Sequence, residues 1–414
     1  MYINDLSYIC TDLKSNFKSV QNTPMELINR QLSNEIKRLS QHFPVITITG
    51  PRQSGKTTLS KSIFSQYKYV NLEDILLRET IVNAPKSFLI ENSSGLIIDE
   101  AHLVPELFSY IQVLVDEDRT RRFILTSSSN FSLLQSVTQS LAGRTAIVTL
   151  LPLSFIEIGQ QIELSTDTLL VRGGYPAIWN GSAQARDVYA NYYKTYIERD
   201  VRTLINLKDL SQFQRFIKLC AGRVGYEFNA SAFANDIGVS SHTINEWISR
   251  LEASYIIYRL QPYFKNQGKR LIKSPKIYFY DTGLVCYLLG IENENQLSTH
   301  PVRGNLFENM LVVEFLKHRF NHGKDANIYF YRDNHQKEVD IVQENAGKLS
   351  IFEIKSAKDF HKDFLKGLNY FKKLFLHDVE KSAVIYDGTF ENKSEENGLL
   401  NFRTFIRIEQ QPID

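Results

Sequence analysis

The run Gly50-Pro51-Arg52-Gln53-Ser54-Gly55-Lys56-Thr57 fits the spacing G-x-x-x-x-G-K-[ST], and Thr58 follows it. Glycines at those positions let backbone N–H groups turn inward around a β-phosphate. The lysine then reaches the β- and γ-oxygens, and the hydroxyl of Thr57 ligates Mg²⁺. The chemistry predicted is the binding of ATP with Mg²⁺. A plain glycine-rich turn would leave the Lys-Thr pair unexplained.

A second run, Leu96-Ile97-Ile98-Asp99-Glu100, is an apolar strand that ends in two acids. Acids often cap strands, but after a phosphate loop the pair takes on roles. Asp99 is expected to hold Mg²⁺ through water, and Glu100 to polarise the water that attacks the γ-phosphate. The second acid is what turns binding into hydrolysis. The next strand, Phe123-Leu125, leads into Thr126-Ser127-Ser128-Ser129-Asn130, where a polar side chain can sense the γ-phosphate. Asn130 is the first choice and Ser128 the second; a hydroxyl-rich turn is the structural alternative. Arg144 precedes the last strand of this region, where ring-forming ATPases present an arginine finger to the neighbouring subunit. A solvated surface arginine is the alternative.

These residues require a scaffold. Val45 to Thr49 is a β-branched run suited to a buried parallel strand, and further apolar runs recur at Tyr67-Val70, Leu96-Ile98, Phe123-Leu125 and Ala146-Leu150. Their alternation with helix-compatible sequence predicts an α/β domain with a parallel sheet. A helix over Leu27 to Leu39 precedes it, and residues 1–26 read as an extension. The next 60 or so residues are helical in pattern and rich in tyrosine, with a turn at Gly173-Gly174-Tyr175-Pro176.

Ser231 to Leu251 reads as a helix-turn-helix. Phe233 and Ala234 lie on its first helix, Gly238 in its turn, and Thr243, Ile244, Trp247, Ile248 and Leu251 on the inner face of its second. The outer face offers Ser241, His242, Asn245, Glu246 and Ser249, with Arg250 as its one basic residue. That is a sparse phosphate footprint. The neighbouring cluster Lys265, Lys269, Arg270, Lys273 and Lys276 favours DNA contact, against a packing role for the helices and a solvated loop.

Composition sets the frame. The chain has 414 residues, 43% hydrophobic and 23% charged, with a net charge of +2, so a nucleic-acid site must come from local clustering. Cys10, Cys220 and Cys286 offer neither a disulfide framework nor zinc spacing. No apolar run approaches membrane-spanning length, the first residues do not read as a signal peptide, and a cytoplasmic location is expected.

The stretches GPRQSGKTTL, YVNLED, LIIDEAHLVPEL, FILTSSSN, SLAGR, LPLSF and GGYP, followed by TYIERDV, KRLIKSPKIYFYDTGL, GNLFEN, EVDIV and FEIK, resemble the AAA-type ATPases that carry a C-terminal DUF4143 region. The resemblance runs from about Arg30 to the end. It implies an AAA+ core over 27–158, a helical lid over 159–220, a winged helix with a linker over 221–300, and a restriction-endonuclease-like α/β domain over 301–414. It also implies a homo-oligomeric ring, with six subunits as one arrangement. Two departures stand out: Thr126-Ser127-Ser128-Ser129 replaces Thr-Gly-Ser-Ser, and Ala101-His102 replaces Val-Gln after the acidic pair.

In the last region Glu338-Val339-Asp340-Ile341-Val342 and Ile351-Phe352-Glu353-Ile354-Lys355 flank a short turn. Paired as a hairpin, Asp340 comes opposite Glu353, while Glu353 and Lys355 share one face. Two carboxylates and a lysine then converge as in PD-(D/E)XK nucleases, where acids hold Mg²⁺ and the lysine orients or deprotonates water. Glu308 matches the extra acid of that fold. A surface hairpin with a salt bridge is the alternative, and the fold does not guarantee cleavage. The functions in view are an ATP-driven enzyme acting on duplex or branched DNA, and a nucleotide switch or defence component with an inert nuclease-like domain.

Overall fold

The computed structural model describes residues 27–92, 95–128, 140–181, 183–201, 210–264, 274–392 and 397–409. Five strands, Val45–Thr49 (β1), Lys68–Asn71 (β2), Leu96–Asp99 (β3), Phe123–Ser127 (β4) and Thr145–Thr149 (β5), form a parallel sheet in the order β2-β3-β4-β1-β5. β1, β3 and β4 are buried along their whole length, as the continuous apolar runs require of strands covered on both faces. Alternate residues feed two cores. Val45, Leu96, Ile98, Phe123 and Leu125 pack with helix Glu106–Glu117, while Ile46, Ile48, Ile97, Ile124 and Val148 pack with helices Leu32–Ser40 and Lys56–Ile63.

Because β1 lies beside β4, Thr49 stands level with Ser127, and β3 is the next strand across. The loops leaving β1, β3 and β4 therefore open side by side at the carboxyl edge of the sheet, where α/β folds bind ligands.

The chain then turns helical through Thr166–Arg172, Ala185–Tyr192, Tyr193–Val201 and Leu210–Gly222. Helices Ala230–Ile237 and Ser241–Ala253 follow, joined through Gly238 at φ 83°. Phe233, Ile244, Trp247, Ile248 and Leu251 face inward as read from the sequence. Thr243 is half-buried in the first turn of the helix: the Ser240 hydroxyl caps its N–H at 3.1 Å and bonds its hydroxyl at 2.9 Å. Strands Ile257–Leu260 (β6) and Lys276–Phe279 (β7) pair antiparallel behind these helices.

Helix Arg303–Asn321 leads into a second sheet of Ile328–Arg332 (β8), Glu338–Asn345 (β9), Lys348–Lys355 (β10), Val379–Tyr386 (β11) and Gly398–Asn401 (β12), in the order β12-β11-β10-β9-β8. β8, β9 and β10 are antiparallel, and β11 and β12 add in parallel to β10. The sequence predicts the hairpin strands β9 and β10 of this sheet. β8 and β12 are edge strands of five and four residues, too short to carry a clear period. The β9–β10 turn has Ala346 at φ 48° and Gly347 at φ 82°, the paired positive angles of a two-residue hairpin. One hydrophobic cluster runs without a break from Leu151 to Ile406.

Candidate functional site

The phosphate loop begins where β1 ends. Gly50 has φ 140°, and a Cβ there would lie 2.2 Å from the Leu150 carbonyl oxygen, so no other residue fits. Gly55, at φ 95°, starts helix Lys56–Ile63. Lys56 is buried and donates to the carbonyls of Gly50 at 2.9 Å and Pro51 at 2.8 Å. Burial pushes its ammonium down to about 8, against the pull of Glu100 and Asp99. The Ser54 hydroxyl is buried with no hydrogen-bond partner. Gln53 takes φ 62°, and Arg52 reaches Glu73 at 3.1 Å while its guanidinium lies 5.5 Å from the Tyr196 ring centre.

The acidic pair meets this loop. Asp99 Oδ2 accepts from Thr57 Oγ1 at 2.7 Å and from the Tyr69 hydroxyl at 2.8 Å, and Oδ1 accepts from Thr126. Glu100 stands at φ 53°, a left-handed position that a non-glycine residue holds only under constraint. Its Oε2 accepts from the N–H and the hydroxyl of Ser128, both at 3.0 Å, and lies 3.2 Å from His102 Nδ1. His102 in turn bonds the Ser127 hydroxyl at 3.0 Å. Burial works to raise the Glu100 pKa, but the His102 hydrogen bond, the Lys56 charge and the Ser128 N–H together lower it to about 2. Ser128, the second choice for the sensor, is thus at the site; Asn130 lies outside the described residues.

Sequence reasoning missed Arg30. Its guanidinium donates to the carbonyls of Ser54 and Leu151, each at 2.6 Å, and to Glu157 at 3.0 Å, so it braces the loop from behind. Those partners are 24 to 127 positions away, which no local pattern signals. Beside Gly55 and Thr58 opens a cleft of about 330 Å³ walled by Leu27, Ile28, Leu59, Leu153 and Pro176. Asn29, Ser33, Ser62 and Asn180 add polar groups to its lining.

Arg144 is elsewhere. It precedes β5, and its carbonyl accepts from Val45 N–H at 3.2 Å, at the amino end of β1. The phosphate loop leaves the carboxyl end of β1, about 16 Å away for a strand of this length. Arg144 is held by Asp116 through two hydrogen bonds of 2.7 Å.

In the second sheet the hairpin register pairs Phe352 with Ile341, which sets Glu353 next to Asp340. Lys355 Nζ donates to Glu353 at 2.6 Å and lies 3.4 Å from Asp340, whose Oδ2 also accepts from Ile354 N–H at 2.7 Å. The predicted trio does converge. Burial, reinforced by Asp340, pushes the Glu353 carboxyl up to about 8, and its Oε2 has no partner. Glu308 is engaged differently: it accepts from Lys276 at 3.0 Å and from the Tyr278 hydroxyl at 2.5 Å. Among the described residues, no group of three or more His, Cys, Asp or Glu is arranged to hold a metal ion.

Lys276 corrects one expectation. Counted in the sequence with a DNA-facing basic cluster, it is instead buried and ion-paired. Lys265, Lys269, Arg270 and Lys273 lie outside the described residues. On the second helix of the helix-turn-helix, His242, Asn245, Glu246 and Ser249 are exposed, and Ser241 and Arg250 half-exposed.

Three family models match the chain in succession: an AAA domain over 42–159, a domain of unknown function (DUF8612) over 163–295, and a domain of unknown function (DUF4143) over 303–405. The chain belongs to the AAA-type ATPases that carry a C-terminal DUF4143 region. An uncharacterized protein of Mycobacterium tuberculosis is 31% identical over 338 residues, 80% of this chain and 74% of the relative. One of Haemophilus influenzae is 22% identical over 317 residues, 66% of this chain and 74% of the relative. Among solved structures the chain is similar to the Walker-type ATPase of Pyrococcus abyssi, at 12% identity and a TM-score of 0.43 over 63% of this chain and 96% of that one. It is also similar to PCH-2 of C. elegans, at 15% identity and a TM-score of 0.21 over 53% of this chain and 65% of that one. No described helix is long and apolar enough to cross a membrane.

Proposed function

We propose that the protein hydrolyses ATP in a homo-oligomeric ring and applies the work to DNA. The carrying observation is the meeting of Lys56, Thr57, Asp99 and Glu100 at the carboxyl edge of the sheet. The partnerless buried hydroxyl of Ser54 fits a bound phosphate. Thr57 and Asp99 would hold Mg²⁺, which when bound neutralises phosphate charge. Backbone N–H groups of the loop from Arg52 to Thr58 orient the phosphates and Lys56 pairs with the γ-oxygens. Glu100, ionised at neutral pH, polarises the attacking water. Ser128 links Glu100 to the sensor strand, and Arg144 of a neighbouring subunit completes the site.

The helix-turn-helix form of Ala230–Ile237 and Ser241–Ala253 is what supports DNA as the object of that work, although the exposed face of its second helix carries little positive charge. For the C-terminal domain we favour binding over cleavage. Glu308 is already satisfied by Lys276 and Tyr278, so the acids Glu308, Asp340 and Glu353 are not together free for a metal.

The test is ATP turnover with and without duplex and branched DNA. Stimulation of several-fold, abolished in Glu100→Gln, is the expected result. Absence of both DNA binding and stimulation would remove DNA from the reading and leave a nucleotide switch.

A further inference from the structure

The acids of the C-terminal domain have an unexpected neighbour. Lys276 belongs to β7, where it pairs with Leu260 of β6 and bridges Glu227, so its backbone is fixed outside the C-terminal sheet. Its side chain is only 5% exposed and ends 3.0 Å from Glu308 and in direct contact with Glu338. Tyr278, two residues along the same strand face, donates to the same oxygen of Glu308 at 2.5 Å. Lysine is almost never buried this deeply unless opposite charge holds it there.

We propose that the Lys276 ammonium is a tethered substitute for a divalent cation: it neutralises the acids around Glu308 and Asp340 and shuts the nuclease-like site to metal while β7 is in place. This rests on the nuclease-like reading of the domain. On the far side of the cluster Lys355 covers Glu353 and Asp340, so each acid faces an ammonium and a metal would have to displace one. Lys355 lies on the hairpin itself, whereas Lys276 arrives from the preceding domain. Only Lys276 comes from a strand outside the C-terminal sheet, so only its ammonium depends on where β7 sits.

The experiment is thermal unfolding and Mn²⁺ titration by electron paramagnetic resonance on the full-length, nucleotide-free protein, for wild type, Asp340→Asn, Lys276→Met, Lys276→Arg and Lys276→Met/Asp340→Asn. Wild type and Asp340→Asn are expected to bind the same amount of Mn²⁺. Lys276→Met is expected to melt lower than wild type, to gain one further Mn²⁺ site, and to recover about 5 °C when that site is saturated. The double variant loses the gain, and Lys276→Arg behaves as wild type. A wild-type Mn²⁺ site that Asp340→Asn removes would overturn the proposal while sustaining the nuclease-like reading. A folded Lys276→Met that gains no Mn²⁺ site, with none in wild type, would overturn both. The comparison of wild type with Asp340→Asn stands even if Lys276→Met fails to fold.

Discussion

Arg144 grips Asp116 in a two-pronged contact, Nε to Oδ1 and Nη2 to Oδ2, both at 2.7 Å. The pair sits on the edge of the sheet opposite the phosphate loop, so within one chain Arg144 cannot touch nucleotide. Any part it plays in hydrolysis is played in the next subunit's site. Arg144→Ala should therefore lower ATP turnover on the order of 10³-fold without changing nucleotide affinity. Mixing Arg144→Ala with Lys56→Ala chains should restore activity, because each supplies what the other lacks. Mixtures as inactive as their components would make the Asp116 contact purely structural.

The lowered pKa of Lys56 gives nucleotide binding a pH signature. With the free group near 8, the loop loses its positive charge above that pH, and phosphate must then pull a proton back on binding. Affinity for ATP should be flat from pH 6 to 7.5 and fall as pH rises through about 8 to 9, by up to tenfold per unit. Calorimetric titration across that range, with Lys56→Met as the flat control, checks it.

Glu100 behaves oppositely. Its folded pKa of about 2 lies below the ordinary glutamate value of 4.5, so the stability it contributes is present above about pH 4.5 and is lost as pH falls toward 2. It stays ionised through the working range, and turnover should show no acid limb from Glu100 between pH 5 and 8. Glu100→Gln should keep ATP binding and lose on the order of 10²- to 10⁴-fold in turnover.

Glu314 and Lys317 form a buried pair at 2.7 Å, and each also binds the segment after β5: Phe155 N–H donates to Glu314 at 3.0 Å, and Lys317 donates to the Leu153 carbonyl at 2.8 Å. Leu153 walls the cleft beside the phosphate loop. Glu314→Ala strands the lysine and should cost about 3–5 kcal/mol in urea denaturation. Glu314→Leu/Lys317→Met should recover most of that stability.

Much of the ATPase half was legible because its signals are local. The phosphate loop, the strand ending in Asp99-Glu100 and the hairpin register of Asp340 with Glu353 each follow from spacing within a few residues. What escaped lies in contacts between distant segments. Arg30 behind Ser54, Tyr69 on Asp99 and Lys276 on Glu308 join strands and helices whose juxtaposition no period announces. Lys276 was misread for a physical reason: a lysine flanked by other basic residues looks solvated until the acids that bury it are known. His102, which departs from the family pattern, proves to be a partner of Glu100.

The unbroken hydrophobic cluster from Leu151 to Ile406 bears on how the protein is made. Phe402 lies against Phe155 and Phe307, with ring centres 6.2 and 5.4 Å apart, and Phe405 against Phe315 and Phe352, each 5.2 Å away. The parallel sheet closes on residues that have all been synthesised by Leu150, so it can fold while the rest is still being translated. The remaining chain cannot finish its interior until its last aromatic residues leave the ribosome. Throughout that interval more than half the protein carries unsealed apolar surface.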